Sequence, residues 1–221
     1  MTAALLFDLD GTLVDTDHLH LEAINHIFAE HGLQVDRPTY TARIMGQPNH
    51  GVAEAFLPHL SPEEGAAVLA QKEAVYRTLV GPLTPIAGLV DLLDWAEARG
   101  LRTCVVTNAP RPNAELVLGG LGLAARFETL VIGEELAEMK PHPLPYLTGL
   151  ERLGAIAARS VAFEDSSAGM RAALGAGLSL VGMATSLPPD ALLQEGAHLA
   201  VKDYHDPRLR AFIEERLLGA G

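Results

Sequence analysis

Leu5-Leu6-Phe7-Asp8-Leu9-Asp10-Gly11-Thr12-Leu13-Val14-Asp15 is the stretch from which the rest of the chain is read. The apolar run over residues 3–7 has the length of a buried strand and is too short for a helix. It stops at two carboxylates, a glycine and a threonine. In open α/β sheets, ligands bind beyond the carboxyl ends of the strands. Side chains at i and i+2 of an extended segment point the same way, so Asp8 and Asp10 face one reacting centre. Gly11 permits a tight turn where a Cβ would obstruct. Thr12 adds a hydroxyl and an N–H of the kind that holds a phosphate oxygen.

Beyond residue 15 the strand pattern ceases until residue 83, and residues 16–81 read as a small all-helical insertion. A 3.6-residue apolar period over 18–31 (Leu19, Ala23, Ile24, Ile27, Phe28) predicts a helix ended by Gly32. Further helices are expected over 40–45, 51–56 and 62–79. Ser61-Pro62-Glu63-Glu64 supplies the last with an N-cap, a first-turn proline and first-turn acids. From residue 85 strands and helices alternate. Helices are expected over 86–99, 111–120, 144–153, 168–176, 190–195 and 207–218. Strands are expected over 101–106, 129–132, 160–163, 178–181 and, as an edge, 199–201. This alternation predicts an α/β fold, a Rossmann-like, mostly parallel sheet with helices on both faces. The predicted organisation is a core of residues 1–15 and 82–221 interrupted by the helical unit 16–81.

Composition narrows the function further. A net charge of −12 over 221 residues argues against nucleic acid or an anionic membrane as partner. No segment has the roughly 18 uninterrupted apolar residues of a membrane span, and no signal peptide is apparent. Cys104, the only cysteine, excludes an internal disulfide framework and fits a reducing cytoplasm; its apolar surroundings read as a buried strand. Gly120-Leu121-Gly122-Leu123-Ala124-Ala125 fits G-x-G-x-x-A, and Gly175-Ala176-Gly177 offers half of another such pattern. A dinucleotide fingerprint follows a strand and opens a helix, whereas these glycines close helices. A phosphate-binding G-x-x-x-x-G-K-[ST] is absent from the sequence. Only three lysines occur, Lys72, Lys140 and Lys202, which makes one beside a strand end notable.

The opening D-x-D-G-T-[LV]-x-D resembles the first motif of the haloacid dehalogenase superfamily, whose members are mostly Mg-dependent phosphatases. Three later stretches are similar to its other motifs: Thr107-Asn108 after the second predicted strand, Lys140-Pro141-His142-Pro143, and Glu164-Asp165-Ser166-Ser167-Ala168-Gly169. Taken singly they are a turn signal, a surface lysine and a helix N-cap. Together they stand in the right order at strand ends or just before a helix. The resemblance implies that Asp8 is the nucleophile and that Asp10 is first general acid, then general base. Asp10 is accordingly expected to have its pKa raised by acidic neighbours. Thr107 and the Asn108 N–H would hydrogen-bond the phosphoryl group, with Gly11 and Thr12 beside it, and Lys140 would offset its charge. Mg²⁺ would sit on Asp8, the Asp10 carbonyl and Asp165, with Glu164 direct or through water, and Ser166 or Ser167 would orient a bound water. The superfamily's dehalogenases lack the second aspartate, so Asp10 points to phosphoryl transfer.

The helical unit lies where the superfamily's helical cap inserts. Asp15-Thr16-x-x-x-His20 is similar to the D-T-x-x-x-H of the β-phosphoglucomutase-like and sugar-phosphate phosphatase branch, and Gly46 falls at that branch's cap glycine. This implies that His20 orients Asp10 and that Gly46 and Asn49 contact substrate. His50 and Arg43 are further cap groups. His18, His26 and His31 read as solvated, and Glu22 with His26 lacks a third ligand for zinc. The mutases hold a second phosphate with an arginine shortly after the cap glycine. Here Gly46-Gln47-Pro48-Asn49-His50 has none, and Arg111 is the candidate to compensate. The expected function is hydrolysis of a small phosphomonoester, a sugar phosphate or phosphoglycolate-like metabolite, by a cytoplasmic monomer or weak homodimer. The alternative is a phosphomutase. A non-catalytic binding protein on this fold would have lost one of Asp8, Asp10, Lys140 or Asp165, and none is lost.

Overall fold

A computed structural model describes residues 2–218. Its sheet comprises β1 (Ala4–Phe7), β2 (Arg102–Thr107), β3 (Thr129–Ile132), β4 (Val161–Glu164), β5 (Ser179–Met183) and β6 (Leu199–Val201). They lie in the order β3-β2-β1-β4-β5-β6, and every pairing is parallel. Parallel strands buried on both faces read as continuous apolar runs, which is why Leu5-Leu6-Phe7 and Val105-Val106 show no alternation. The two-residue period still sorts them. Leu5 and Phe7 join Val105 and Phe163 in one core layer, and Ala4 and Leu6 join Cys104 and Ala162 in the other.

The first layer is closed by α5 (Leu89–Glu97), α6 (Arg111–Gly120) and α10 (Pro207–Leu218). The second is closed by α7 (Leu144–Leu153), α8 (Ser167–Gly175) and α9 (Pro189–Gln194). Phe7 stacks on Phe163 at 4.6 Å across β1 and β4. Between β1 and β2 run α1 (Asp17–Phe28), α2 (Arg37–Arg43), α3 (Asn49–Phe56) and α4 (Pro62–Leu79), whose apolar faces meet in a third core of Ile24, Phe28, Tyr40, Val52, Leu57 and Leu69. Ser61 and Glu64 form a reciprocal capping box at the start of α4.

Most predicted bounds match. Gly122 (φ 68°) and Gly177 (φ 78°) follow α6 and α8, so both glycine pairs terminate helices. The differences have local causes. α5 starts at Leu89 rather than residue 86, because the Ile86 N–H is drawn to the Leu13 carbonyl (2.8 Å) and Gly88 takes φ 79° against Tyr204 and His205. α2 starts three residues early because the Asp36 carboxylate caps the Thr39 N–H. Among the described residues, no helix is long and apolar enough to cross a membrane.

Candidate active site

Strand order reverses at β1, with β2 on one side and β4 on the other, and the side chains singled out by the sequence converge above this switch point. The Asp8 N–H bonds to the Phe163 carbonyl at 3.0 Å, extending the β1–β4 pairing beyond the strand. Asp8 therefore stands beside Glu164 and Asp165, and one oxygen of each lies within 4.8 Å of the others, all buried. Lys140 reaches in from the turn before α7. The residue is 2% exposed, and its ammonium donates to Asp8 Oδ1 (2.6 Å), Glu164 Oε1 (2.5 Å) and the Val106 carbonyl (2.7 Å). Tyr146 donates to the same Glu164 oxygen at 2.8 Å, and Ser166 donates to the other at 3.2 Å. Glu164 is thus the partner of Lys140 as well as a member of the acidic cluster.

Burial drives the electrostatics. It pushes the Asp8 carboxyl up to about 8, with Glu164 and Asp10 adding to the rise and Lys140 opposing it. Burial, Asp8, Asp17 and Glu164 likewise hold Asp165 well above the carboxylate range. Burial works against the Lys140 ammonium, but Asp8 and Glu164 carry it above its ordinary value. One ammonium does not balance three buried carboxylates, so the donor set fits a hard divalent cation.

The turn after β1 is tight for a specific reason. Gly11 has φ 75°, and a Cβ there would lie 2.0 Å from Asp165 Oδ2. Gly11 and Thr12 are not among the residues that line the cavity. Thr12 is fully buried: its carbonyl accepts from Tyr204 (2.9 Å), while its hydroxyl has no partner among the described residues. Thr107 does line the cavity, with its hydroxyl accepting from the Ala109 N–H at 2.9 Å. The Asn108 side chain accepts from the Lys140 N–H (3.1 Å) and donates to the Lys140 (3.0 Å) and Gly46 (3.2 Å) carbonyls. It clamps the lysine segment and ties it to the helical unit, a role no sequence signal indicated.

Asp10 corrects another expectation. Burial raises its pKa, but bonds from His20 and Thr16, with Lys72 nearby, more than offset this, leaving the carboxyl below its ordinary value. Thr16 donates to Asp10 Oδ1 at 2.5 Å, and His20 Nε2 and the Tyr76 hydroxyl stand 3.5 Å from the same oxygen. His20 stacks flat on Tyr76, with ring centroids 3.9 Å apart.

A cavity of about 100 Å³ lies above these groups, roofed by residues of α1–α4. Gly46 (φ 71°) and Asn49 line it, joined by Lys72 and Glu73, which sequence reasoning passed over. Other side chains singled out by the sequence lie away from the cavity. Arg111 is held outside by Glu135 (2.6 and 2.8 Å) and Glu115 (3.2 Å). Ser167 is turned to Glu195 (2.6 Å), leaving Ser166 as the serine at the cavity. Arg43 lies over Phe56 at 4.6 Å, and neither it nor His50 reaches the cavity. The sequence reading also missed Ser186, whose hydroxyl lies 2.7 Å from Asp17 Oδ2 and 2.6 Å from Asp165 Oδ2.

Comparison with known proteins agrees with this geometry. Residues 5–183 match the family of haloacid dehalogenase-like hydrolases. Validoxylamine A 7'-phosphate phosphatase of Streptomyces hygroscopicus subsp. limoneus is 32% identical, over 94% of this chain and 97% of that protein. A phosphoglycolate phosphatase of Xanthomonas campestris is 32% identical, over 80% and 81%. The crystal structure of a CbbY mutant from Rhodobacter sphaeroides, in complex with xylulose-(1,5)bisphosphate, superimposes with a TM-score of 0.80 at 30% identity, covering 93% of this chain and 96% of that one. The chain belongs to the haloacid dehalogenase-like hydrolases.

Proposed function

We propose that this enzyme is a Mg²⁺-dependent phosphatase that hydrolyses a small phosphomonoester through an aspartyl-phosphate formed on Asp8. The observation that carries the reading is the Asp8 carboxylate at the cavity floor, bonded to the Lys140 ammonium at 2.6 Å and clustered with Glu164 and Asp165. As a phosphoric monoester hydrolase it has relatives named for a pseudo-sugar phosphate and for phosphoglycolate, so the substrate class is a small phosphorylated metabolite. Asp8, Asp165 and the Asp10 carbonyl, with Glu164 directly or through a water, would hold Mg²⁺, which when bound would supply charge neutralisation for the incoming phosphate.

The chain's own residues divide the remaining work. Asp8 attacks phosphorus, and the bond from phosphorus to the ester oxygen breaks. Thr107 and the Asn108 N–H hold phosphoryl oxygens, and Lys140 offsets the charge gathered there. Asp10 protonates the departing oxygen, then takes the proton from the water that cleaves the acyl phosphate and restores Asp8. The low pKa of Asp10 suits it to the second role as it stands. For the first, a proton has to reach Asp10 Oδ1, the oxygen that Thr16, His20 and Tyr76 face. Residues 16–81 act as a cap that closes over the substrate and excludes bulk water, leaving residues 1–15 and 82–221 as the catalytic core. The third core beneath α1–α4 and the Asn108–Gly46 contact support this division.

The mutase reading is weaker because, among the described residues, no arginine lines the cavity and Arg111 is engaged elsewhere. The non-catalytic reading is weaker still, since Lys140 is aimed at Asp8 within a buried acidic cluster. The test is release of inorganic phosphate from a panel of hexose, pentose and glycolate phosphates and β-glucose 1-phosphate, with Mg²⁺ and with excess EDTA. The expected result is Mg²⁺-dependent release with one preferred ester. Absence of release from every ester would overturn the reading.

A further inference from the structure

The roof of the cavity carries a pair of opposite charges that touch no reacting atom in the steps above. Lys72 and Glu73 are consecutive on α4, 7% and 5% exposed, and both line the cavity. The Lys72 ammonium is already committed, donating to Glu73 Oε1 at 3.1 Å and lying 3.0 Å from His20 Nδ1. Glu73 is held from three helices. Besides Lys72 on α4, Asn49 on α3 donates to Oε1 at 3.0 Å, and Asn113 on α6 donates to Oε2 at 2.6 Å. Arg77 in turn donates to Asn113 Oδ1 at 2.8 Å and so fixes which way that amide faces. A carboxylate gripped on both oxygens cannot swing away from an incoming ligand. Burial acts to raise its pKa, but Lys72, His20 and Asn49 hold it below the ordinary value, so it stays ionised at neutral pH.

Charge bookkeeping decides what this end accepts. Lys140 is engaged by Asp8 and Glu164, Lys72 is offset by Glu73, and among the described residues no arginine lines the cavity. A second anion on the substrate meets a neutralised ammonium and a fixed carboxylate, and like charges in a closed, poorly solvated site repel strongly. A hydroxyl meets a different surface: the Glu73 carboxylate accepts, and the Asn49 amide and Lys72 ammonium donate.

Resting on the phosphatase reading above, we infer that Glu73 is a specificity-determining residue that selects against monoesters whose leaving group bears a second negative charge and favours those whose leaving group bears hydroxyls. Polyol and sugar monophosphates are favoured over carboxylate-bearing and bisphosphorylated esters.

The test uses two pairs of esters matched in size: 2-hydroxyethyl phosphate against phosphoglycolate, and sorbitol 6-phosphate against 6-phosphogluconate. 4-Nitrophenyl phosphate reports on the reaction itself. The expected result is that kcat/KM with Mg²⁺ favours the uncharged member of each pair by at least about tenfold, and that Glu73→Gln narrows the ratio by about tenfold. Glu73→Asp, which keeps the charge, preserves the preference and guards against a misfolded Gln variant. Equal rates, preference for the carboxylates, or an unchanged ratio in a folded Glu73→Gln enzyme would overturn the inference. Release from 4-nitrophenyl phosphate but from neither polyol ester would overturn it while leaving the phosphatase reading standing. No release from any ester would bring down both.

Discussion

The floor and the roof of the cavity are held in place by different means. On the floor, Asp8, Thr107, Glu164 and Asp165 stand at the ends of β1, β2 and β4, where parallel pairing and two-sided burial determine the backbone beneath them. In the roof, His20, Lys72 and Glu73 project from α1 and α4, and are positioned by chains of side-chain hydrogen bonds to Asn49, Asn113 and Asp10. A reacting centre built on strand ends tolerates little displacement, because moving it means moving the sheet. A substrate-facing surface built on helical side chains can be altered one residue at a time. On the function proposed above, the chemistry belongs to the floor and the selectivity to the roof.

Four substitutions break or sharpen that contrast. The largest effect is expected on the floor from Lys140→Met, which leaves the Asp8–Glu164 pair without its cation. Phosphate release should fall by roughly a hundredfold or more, and stability by about 3 kcal/mol in a denaturant titration. Near-parental activity would show that the floor does not depend on this ammonium. Gly11→Ala comes next. The added Cβ meets Asp165 Oδ2 at 2.0 Å in a backbone with φ 75°, so a loss of about 2 kcal/mol is expected. The concentration of Mg²⁺ giving half-maximal activity should rise with it, and an unchanged value would separate Gly11 from the metal site.

The third prediction probes the roof through acid stability. The folded pKa of Glu73 lies below its ordinary 4.5, so below that pH the unfolded chain takes up the proton more readily. Its stabilisation is therefore present above pH 4.5 and is lost as pH falls through the folded value. The melting temperature of Glu73→Gln should fall less steeply on acidification than that of the parent, and identical slopes would mean that the carboxylate is not held as described. The smallest effect is expected from Ser61→Ala at the outer end of α4. It removes the capping box at a cost of about 1 kcal/mol, with phosphate release within twofold of the parent.

The same contrast explains what could be read from the sequence. The floor was legible because each strand end carries its chemistry in a few consecutive residues: Asp8-Leu9-Asp10-Gly11, Thr107-Asn108, Glu164-Asp165-Ser166. Strand and helix alternation then ordered these stretches along one edge. The roof was largely illegible. Lys72 and Glu73 on an amphipathic helix look like a solvated face, and only the packing of α4 on α1 and α6 buries them; Asn113 reaches Glu73 from 40 positions away. Asp10 was misjudged for the same reason. Its acidic neighbours along the chain argued for a raised pKa, while the groups that lower it, Thr16, His20 and Lys72, are brought to it by α1 and α4. The burial of Thr12 was equally illegible, because the motif does not reveal that the turn after β1 packs this residue beneath Tyr204.

The most direct test of the account is to quench the enzyme milliseconds after mixing with a ³²P-labelled hexose phosphate and Mg²⁺, and to map the label by peptide mass spectrometry. An acid-stable, hydroxylamine-labile phosphate on Asp8 that is absent from Asp8→Asn is the predicted result. Label on a different residue, or an Asp8→Asn enzyme that releases phosphate at the parental rate, would contradict it.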